Sequence, residues 1–352
     1  MEYSFLINGR FLSQKLTGVH RYAFEMCCAL HEIGCKFLVL APQNILDDYH
    51  YSFEVKKIGK LTSHMWEQIE LPLYANKHHK KTILISLTGL GSYLHKNNIC
   101  TIHDLSYLEN PLWFSKFYYY FYKFLTPLTA KKALKILTVS NFSKHEIINK
   151  LEIHESKIEV IYNAVSENIV NRNPKSITKE KYILSVSSLD PRKNFNRLIE
   201  AYNSLKDCDY KLYVVGKNNR VFGDIKLNAE QNANIIFTGY VNDIELAELY
   251  CKATLFIYPS LYEGFGIPNL EAMSNNCPVL TSNIPPHKEV CGNAALYFDP
   301  EDIHDIAATI SNALSNKLVR DELIDKGSKR VLNFSWIDSA NKILQIINHL
   351  NA

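Results

Sequence analysis

The chain has 352 residues, of which 47% are hydrophobic, 12% aromatic and 21% charged. That is enough apolar material for two cores of ordinary domain size, and too much for a disordered chain. No run approaches the ~20 apolar residues that span a bilayer, and the opening MEYSFLINGR lacks the basic start and cleavage signal of a secretory leader, so a cytoplasmic protein is expected.

In chain order, YSFLING reads as a strand, followed by a loop to Thr17-Gly18-Val19 and a helix over HRYAFEMCCALHEIG. Further strands are expected at Phe37–Ala41, Thr82–Ser86, Ile99–His103, Ile136–Ser140 and Val160–Tyr162. Ser140 and Asn141 offer N-caps to a helix over FSKHEIINKL. Residues 165–181 are polar and read as a linker. The alternation then restarts with KYILSVSSL, a helix over NFNRLIEAYNSL, strands at KLYVVGK and IIFTGYV, a helix over DIELAELYCKA, the strand LFIYPS, a helix over GIPNLEAMSNN and the strand PVLTSN. In the closing FSWIDSANKILQIINHL, Ile337, Ala340, Ile343, Ile346 and Ile347 share one helical face. Apolar strands alternating with helices predict two doubly wound parallel sheets, with ligands bound in a cleft at the carboxyl ends of the strands.

Charge is unevenly placed. Residues 1–165 hold 19 Lys and Arg against 14 Asp and Glu, the remainder 20 against 22, and ten of the thirteen His lie in the first part. This mild bias is far from a nucleic-acid binder's basic stripe, but it suits an anionic membrane surface or a phosphorylated acceptor. The eight cysteines include no C-x-x-C pair and read as buried small hydrophobes. The first β–α turn, NGRFLSQKLTGVHRY, has no G-x-G-x-x-G, which disfavours a nicotinamide redox enzyme, and no P-loop occurs. No metal signature of the H-E-x-x-H type occurs, and His78-His79 among Lys77, Lys80 and Lys81 reads as a solvated loop.

The densest chemical signal is YPSLYEGFGIPNLE, Tyr258–Glu271. A strand ends at Pro259, and a loop carries Glu263, Gly264 and Gly266. A helix opens near Ile267-Pro268, where proline's missing N–H costs nothing. Two glycines and a helix N-terminus make a seat for a phosphate. Carboxylates beside a phosphate make sense as acceptors for sugar or ribose hydroxyls, which assigns Glu263 and Glu271 to hydroxyl binding. Arg192-Lys193, after the strand ILSVSSLD, supplies the cations for a diphosphate; the competing reading is a solvated helix start.

E-G-F-G-I-P-N-L-E-A resembles the E-x7-E motif of family 4 glycosyltransferases, retaining enzymes of the GT-B fold. The likeness extends through T-G-V-H-R-Y, H-D-L-S-Y-L-E-N-P, V-S-N-F-S-K, V-I-Y-N-A-V, S-L-D-P-R-K-N, F-T-G-Y-V and F-S-W, and is similar to bacterial O-antigen and capsule mannosyl- or rhamnosyltransferases. Gly18 stands alone where many relatives have a glycine pair, and Ala164 stands where glycine is frequent.

The resemblance implies two Rossmann-like domains, 1–168 for the acceptor and 178–334 for the nucleotide-sugar donor, with the helix 335–352 packing back on the first. It implies that Glu263 and the amides of Phe265, Gly266 and Ile267 meet donor sugar or phosphate, and that Glu271 holds the ribose. Arg192 and Lys193 would stabilise the leaving diphosphate without a metal or cofactor. Tyr240 and Val241 would lie by the base, Gly18 by the donor phosphate, and His103 would reach the donor sugar; Asp104 reads as a turn cap. The donor is GDP-mannose first, with dTDP-rhamnose and UDP-sugars as alternatives. A nucleotide-sugar 2-epimerase and a non-catalytic carbohydrate-binding subunit are the rival functions. Trp113–Leu128, aromatic and carrying Lys116 and Lys123, reads either as inter-helix core or as a membrane-facing helix beside a lipid-linked acceptor.

Overall fold

The computed structural model describes residues 3–16, 18–47, 49–170, 177–206, 208–216 and 232–351. The chain divides into two compact units, one of residues 1–105, 120–163 and 335–352, the other of residues 106–119 and 164–334.

The first unit is built on β1 (Phe5–Asn8), β2 (Phe37–Ala41), β3 (Val55–Lys57), β4 (Ile83–Ser86), β5 (Asn98–Thr101), β6 (Lys135–Thr138) and β7 (Ile158–Val160). Its helices include α1 (Gly18–Glu32), α2 (Ser63–Met65) running through a π-helical turn (Trp66–Glu70) into α3 (Leu71–His78), and α6 (Asn141–Leu151); between them in the chain, α4 (Ser106–Glu109) belongs to the other unit and α5 (Lys116–Lys132) crosses the division. The strands lie in the order β3-β2-β1-β4-β5-β6-β7. Every pairing between them is parallel. The sequence of β1, β2 and β4 explains this. FLIN, FLVLA and ILIS are buried along their whole length, and such strands are stable only where both faces are covered.

Parallel pairing sends the chain out of one edge after Asn8, Ser86 and Thr101. The strand expected to run to His103 ends at Thr101, so His103 stands in the exit loop. The last expected strand is shifted two residues toward the N-terminus, to Ile158–Val160. Ser140, not Asn141, caps α6, its Oγ accepting from Ser143 N–H at 3.0 Å.

The second unit holds β8 (Glu180–Val186), α7 (Phe195–Asn203), β9 (Lys211–Val215), β10 (Ile235–Gly239), α8 (Asp243–Lys252), β11 (Ala253–Tyr258), α9 (Ile267–Ser274), β12 (Val279–Ser282), α10 (Pro285–Cys291), β13 (Ala295–Phe298), α11 (Ile303–Ser315) and α12 (Lys317–Val331). Its order is β10-β9-β8-β11-β12-β13, again parallel throughout. Ile183, Leu212, Leu255 and Leu280 carry the core from strand to strand under Leu198 and Ile199 of α7.

The expected linker is not free at its start. Ile169 is buried, and its carbonyl accepts from Asn275 Nδ2 at 2.9 Å, so the chain docks on the second unit before residues 171–176, which lie outside the described residues. The final helix α13 (Trp336–Asn351) packs on α1 of the first unit through Ala340, Ile343 and Ile347. Its Ser339 hydroxyl donates to Tyr162 O at 2.8 Å.

Candidate functional site

In the second unit the exits of the adjacent strands β8 and β11 are stitched together. Asp190, fully buried, accepts Arg192 N–H at 3.1 Å and the Ser188 hydroxyl at 2.9 Å, which winds Pro191–Lys193 into a 3-10 turn ahead of α7. Leu261 N–H then donates to Arg192 O at 2.8 Å, and Asn194 Nδ2 to Pro259 O at 3.1 Å. The two loops therefore move as one.

Lys193 is aimed by this arrangement into the β11 loop. Its Nζ donates to a Glu263 carboxylate oxygen and, at 3.0 Å, to Tyr258 Oη, while the Tyr258 hydroxyl donates to that same Glu263 oxygen at 2.7 Å. Lys193 is 6% exposed and Glu263 7%, which rules out the solvated helix start as a reading of Arg192-Lys193. Burial pushes the Glu263 carboxyl up; the charges of Lys193 and Arg192 outweigh it and hold the group at about 2. Arg192 Nε lies 3.5 Å from Asp190. Two cations thus face two carboxylates, so the formal side-chain charges balance. An anion bound here needs the helix start as well.

That start is open. Gly266 is the N-cap of α9, at φ +89°, and no side chain caps the helix; Pro268 fills its first turn. Only glycine fits at 266, because a Cβ would come within 2.8 Å of the His287 ring as well as facing the unfavourable backbone angle. Glu271, one turn in, is 5% exposed and accepts the Tyr250 hydroxyl at 2.9 Å. The structure therefore gathers Arg192, Lys193, Glu263, the Phe265–Ile267 backbone and Glu271 at one end of one sheet. The Phe265 ring turns away onto Phe334, centroids 5.6 Å apart.

The other expected residues lie elsewhere. Tyr240 and Val241 follow β10, the edge strand two removed from β8, and Tyr240 is 69% exposed. Gly18, in the first unit, opens α1 with free space where a side chain would stand. His103 is also in the first unit. Its Nε2–H donates to Leu87 O at 2.9 Å, its carbonyl accepts the Ser143 hydroxyl at 3.0 Å, and the Tyr22 ring meets it edge-on at 4.9 Å. Burial lowers its pKa, so the ring is neutral and Nδ1 carries the lone pair.

A second cluster at this edge was not read from the sequence. Glu67, fully buried in the π-helical turn, accepts from Asn8 Nδ2 at 2.7 Å, pairs with Arg10 Nε at 3.2 Å and meets His64 Nδ1 at 3.1 Å. Burial opposes its charge; Arg10 first, then His64 and Asn8, overcome that and lower its pKa. Asn8 also reaches Ser86 Oγ, and Arg10 the Thr88 carbonyl, while His103 holds Leu87 between them. Three consecutive residues at the end of β4, Ser86, Leu87 and Thr88, thus join both groups. The stretch SHMWEQIE carries a second acid, Glu70, and nothing local marks Glu67 as the buried one.

Comparison with known proteins adds identity to this geometry. Residues 16–168 match the family model described as Glycosyltransferase Family 4, and residues 167–330 the model described as Glycosyl transferases group 1. The chain is 32% identical to O-antigen chain mannosyltransferase B of Escherichia coli, covering 91% of this chain and 93% of that protein. It is 29% identical to the N-acetylgalactosamine-N,N'-diacetylbacillosaminyl-diphospho-undecaprenol 4-alpha-N-acetylgalactosaminyltransferase of Campylobacter jejuni, over 78% of this chain and 72% of that one. Among solved structures, Anabaena Alr3699/HepE in complex with UDP and glucose superposes with a TM-score of 0.75 at 15% identity, covering 99% of this chain and 100% of that one.

Proposed function

The chain belongs to the family 4 glycosyltransferases, of GT-B fold, and on that premise we propose that it transfers a hexosyl group, with retention, from a nucleoside diphosphate sugar to a glycan hydroxyl in O-antigen synthesis. The observation that carries the donor side is the buried Lys193–Glu263–Tyr258 cluster beside Arg192 and the uncapped start of α9. Glu263 fixes the Lys193 ammonium at the strand exit, so the cation needs no reorganisation when charge develops on the leaving phosphate.

In the reaction the bond from the anomeric carbon to the leaving phosphate oxygen breaks. The acceptor hydroxyl oxygen bonds to that carbon on the same face, and its proton passes to the departing phosphate. Arg192, Lys193 and the α9 amides stabilise that phosphate, which leaves no step for a metal. Glu271 takes the ribose hydroxyls, Tyr240 and Val241 flank the base, and Gly18 approaches the donor phosphate. His103 offers its neutral Nδ1 to a donor-sugar hydroxyl. GDP-mannose is the donor that the relationship to a mannosyltransferase favours.

A lipid-linked acceptor is supported by the diphospho-undecaprenol in the name of the Campylobacter relative and by α5. Phe117, Tyr120 and Phe124 of that helix are 80%, 65% and 73% exposed, which excludes the inter-helix core for this face. The helix has no acidic residue and carries Lys116, Lys123, Lys131 and Lys132. An exposed aromatic and basic face suits the anionic inner leaflet of a membrane.

A thermal-shift series with GDP, UDP, dTDP and ADP, with and without Mg²⁺, tests the donor site. A nucleotide at 100 times its Kd adds about 2.7 kcal/mol of stability. Selective stabilisation by GDP, unchanged by chelator, is expected; no shift with any nucleotide overturns the reading. Release of nucleoside diphosphate only when acceptor is added separates a transferase from an epimerase.

A further inference from the structure

At the strand exits of the first unit, an imidazole is held by a buried carboxylate and presents its other nitrogen outward. Glu67 has no exposed surface, whereas the His64 side chain is 30% exposed. A carboxylate only accepts, so the His64 nitrogen facing it, Nδ1, carries the proton. Nε2 has no partner among the described residues. Two aromatic rings contact it. Phe121 packs on it with centroids 4.9 Å apart, and Tyr122 stands edge-on at 6.0 Å.

The local backbone is unusual at the same place. Ser63, the residue before His64, has φ +54°, a conformation that costs energy for a non-glycine side chain, and the helix continues through a π-turn that brings Glu67 inward. Trp66 Nε1 anchors this turn to Ile58 O at 2.9 Å. Asn8 and Arg10, from the end of β1, fix Glu67 from beneath. A surface histidine does not need its orienting acid to be fixed by two further side chains, Asn8 and Arg10. A histidine that must meet a ligand at one angle does.

We propose that His64 is an acceptor-sugar residue: its Nε2 makes a hydrogen bond with a hydroxyl of the acceptor glycan, whose ring lies against Phe121 and Tyr122. The assignment rests on the glycosyltransferase reading for the source of the sugar, but not on the donor site. Glu67, Arg10 and Asn8 are positioning residues for it. The same β4 exit that seats this network also holds His103 through Leu87, so the acceptor subsite and the expected donor-sugar contact share one rigid strand end.

The test has one arm that needs no donor. Saturation-transfer NMR with methyl α-D-mannopyranoside is expected to show transfer to the sugar in the wild-type protein and a loss of it in His64→Ala, with unchanged melting temperature. In the second arm, His64→Ala is expected to lower transfer roughly tenfold or more at subsaturating acceptor, by raising acceptor KM, with donor KM and the nucleotide thermal shift unaltered. His64→Gln, whose amide can both donate and accept, recovers part of the loss. Equal sugar signals in wild type and His64→Ala, or equal losses in donor and acceptor KM, overturn the assignment. A wild-type protein that binds the sugar but no nucleotide overturns the donor reading and leaves this one standing.

Discussion

Each unit buries a glutamate at the carboxyl end of a parallel sheet, and the two are satisfied differently. In the second unit Glu263 is met by a lysine and a tyrosine, with the cation of Arg192 close by. In the first unit Glu67 is met by one arginine, an asparagine and a histidine, and what emerges at the surface is an imidazole nitrogen. The same device, a carboxylate kept charged in a dry place, serves the proposed phosphate site in one unit and the proposed hydroxyl site in the other. The outcome depends on which partner keeps a free face.

The comparison breaks most severely at Lys193. Lys193→Ala leaves Glu263 buried without its main counter-charge, a change that costs about 3–5 kcal/mol where buried pairs are cut. Turnover should fall by roughly 10² to 10³, as when a preorganised donor to a developing anion is removed. Circular dichroism melting and initial rates measure the two losses. An active, unaltered variant would show that the pair is neither structural nor catalytic.

The pH dependence sharpens it. Because the folded state holds Glu263 at about 2, below the ordinary carboxylate value, the pair contributes stability that is complete above roughly pH 4.5. That contribution is lost as pH falls toward 2. Wild-type protein should lose more stability than Lys193→Met over that interval in denaturant titrations. Glu67 has the same sign, its pKa also being lowered, so Glu67→Gln should likewise flatten the acid limb while sparing nucleotide affinity.

Gly266→Ala probes the loop rather than the charges. A Cβ at 2.8–2.9 Å from the His287 ring and at φ +89° should cost roughly 1–3 kcal/mol and raise donor KM. Gly18→Ala, with open space around it and no left-handed angle, should leave stability within about 0.5 kcal/mol. Smallest in stability is the change at α5. Phe117→Ser with Phe124→Ser should leave the melting temperature nearly unaltered, because both rings are exposed, while reducing sedimentation with vesicles containing phosphatidylglycerol. Undiminished sedimentation would remove the membrane contact from the reading.

Much of the second-unit site was legible because its signals are local. Gly264, Gly266 and Pro268 mark a turn into a helix, and Glu263 and Glu271 fall on either side of its start within nine residues. Arg192 and Lys193 were found because they follow a strand. The first-unit cluster was not found because its members lie far apart in the chain. Asn8 and Glu67 are 59 positions apart, and Asn8 and Ser86 are 78. Edge strand β3, whose sequence is VKK, was missed for another reason: it is short and has no buried alternation to show.

The sequence by itself determined that the chain makes two parallel α/β units and where a helix start could hold an anion, since apolar strands, glycine and proline act through the backbone nearest to them. Tertiary structure decided which charges are buried and with whom. It turned Lys193 from a surface cation into the anchor of Glu263, put Phe117 and Phe124 in solvent, and gave His64 its carboxylate. Burial and pairing are properties of what folds against a residue, and those partners come from distant parts of the chain.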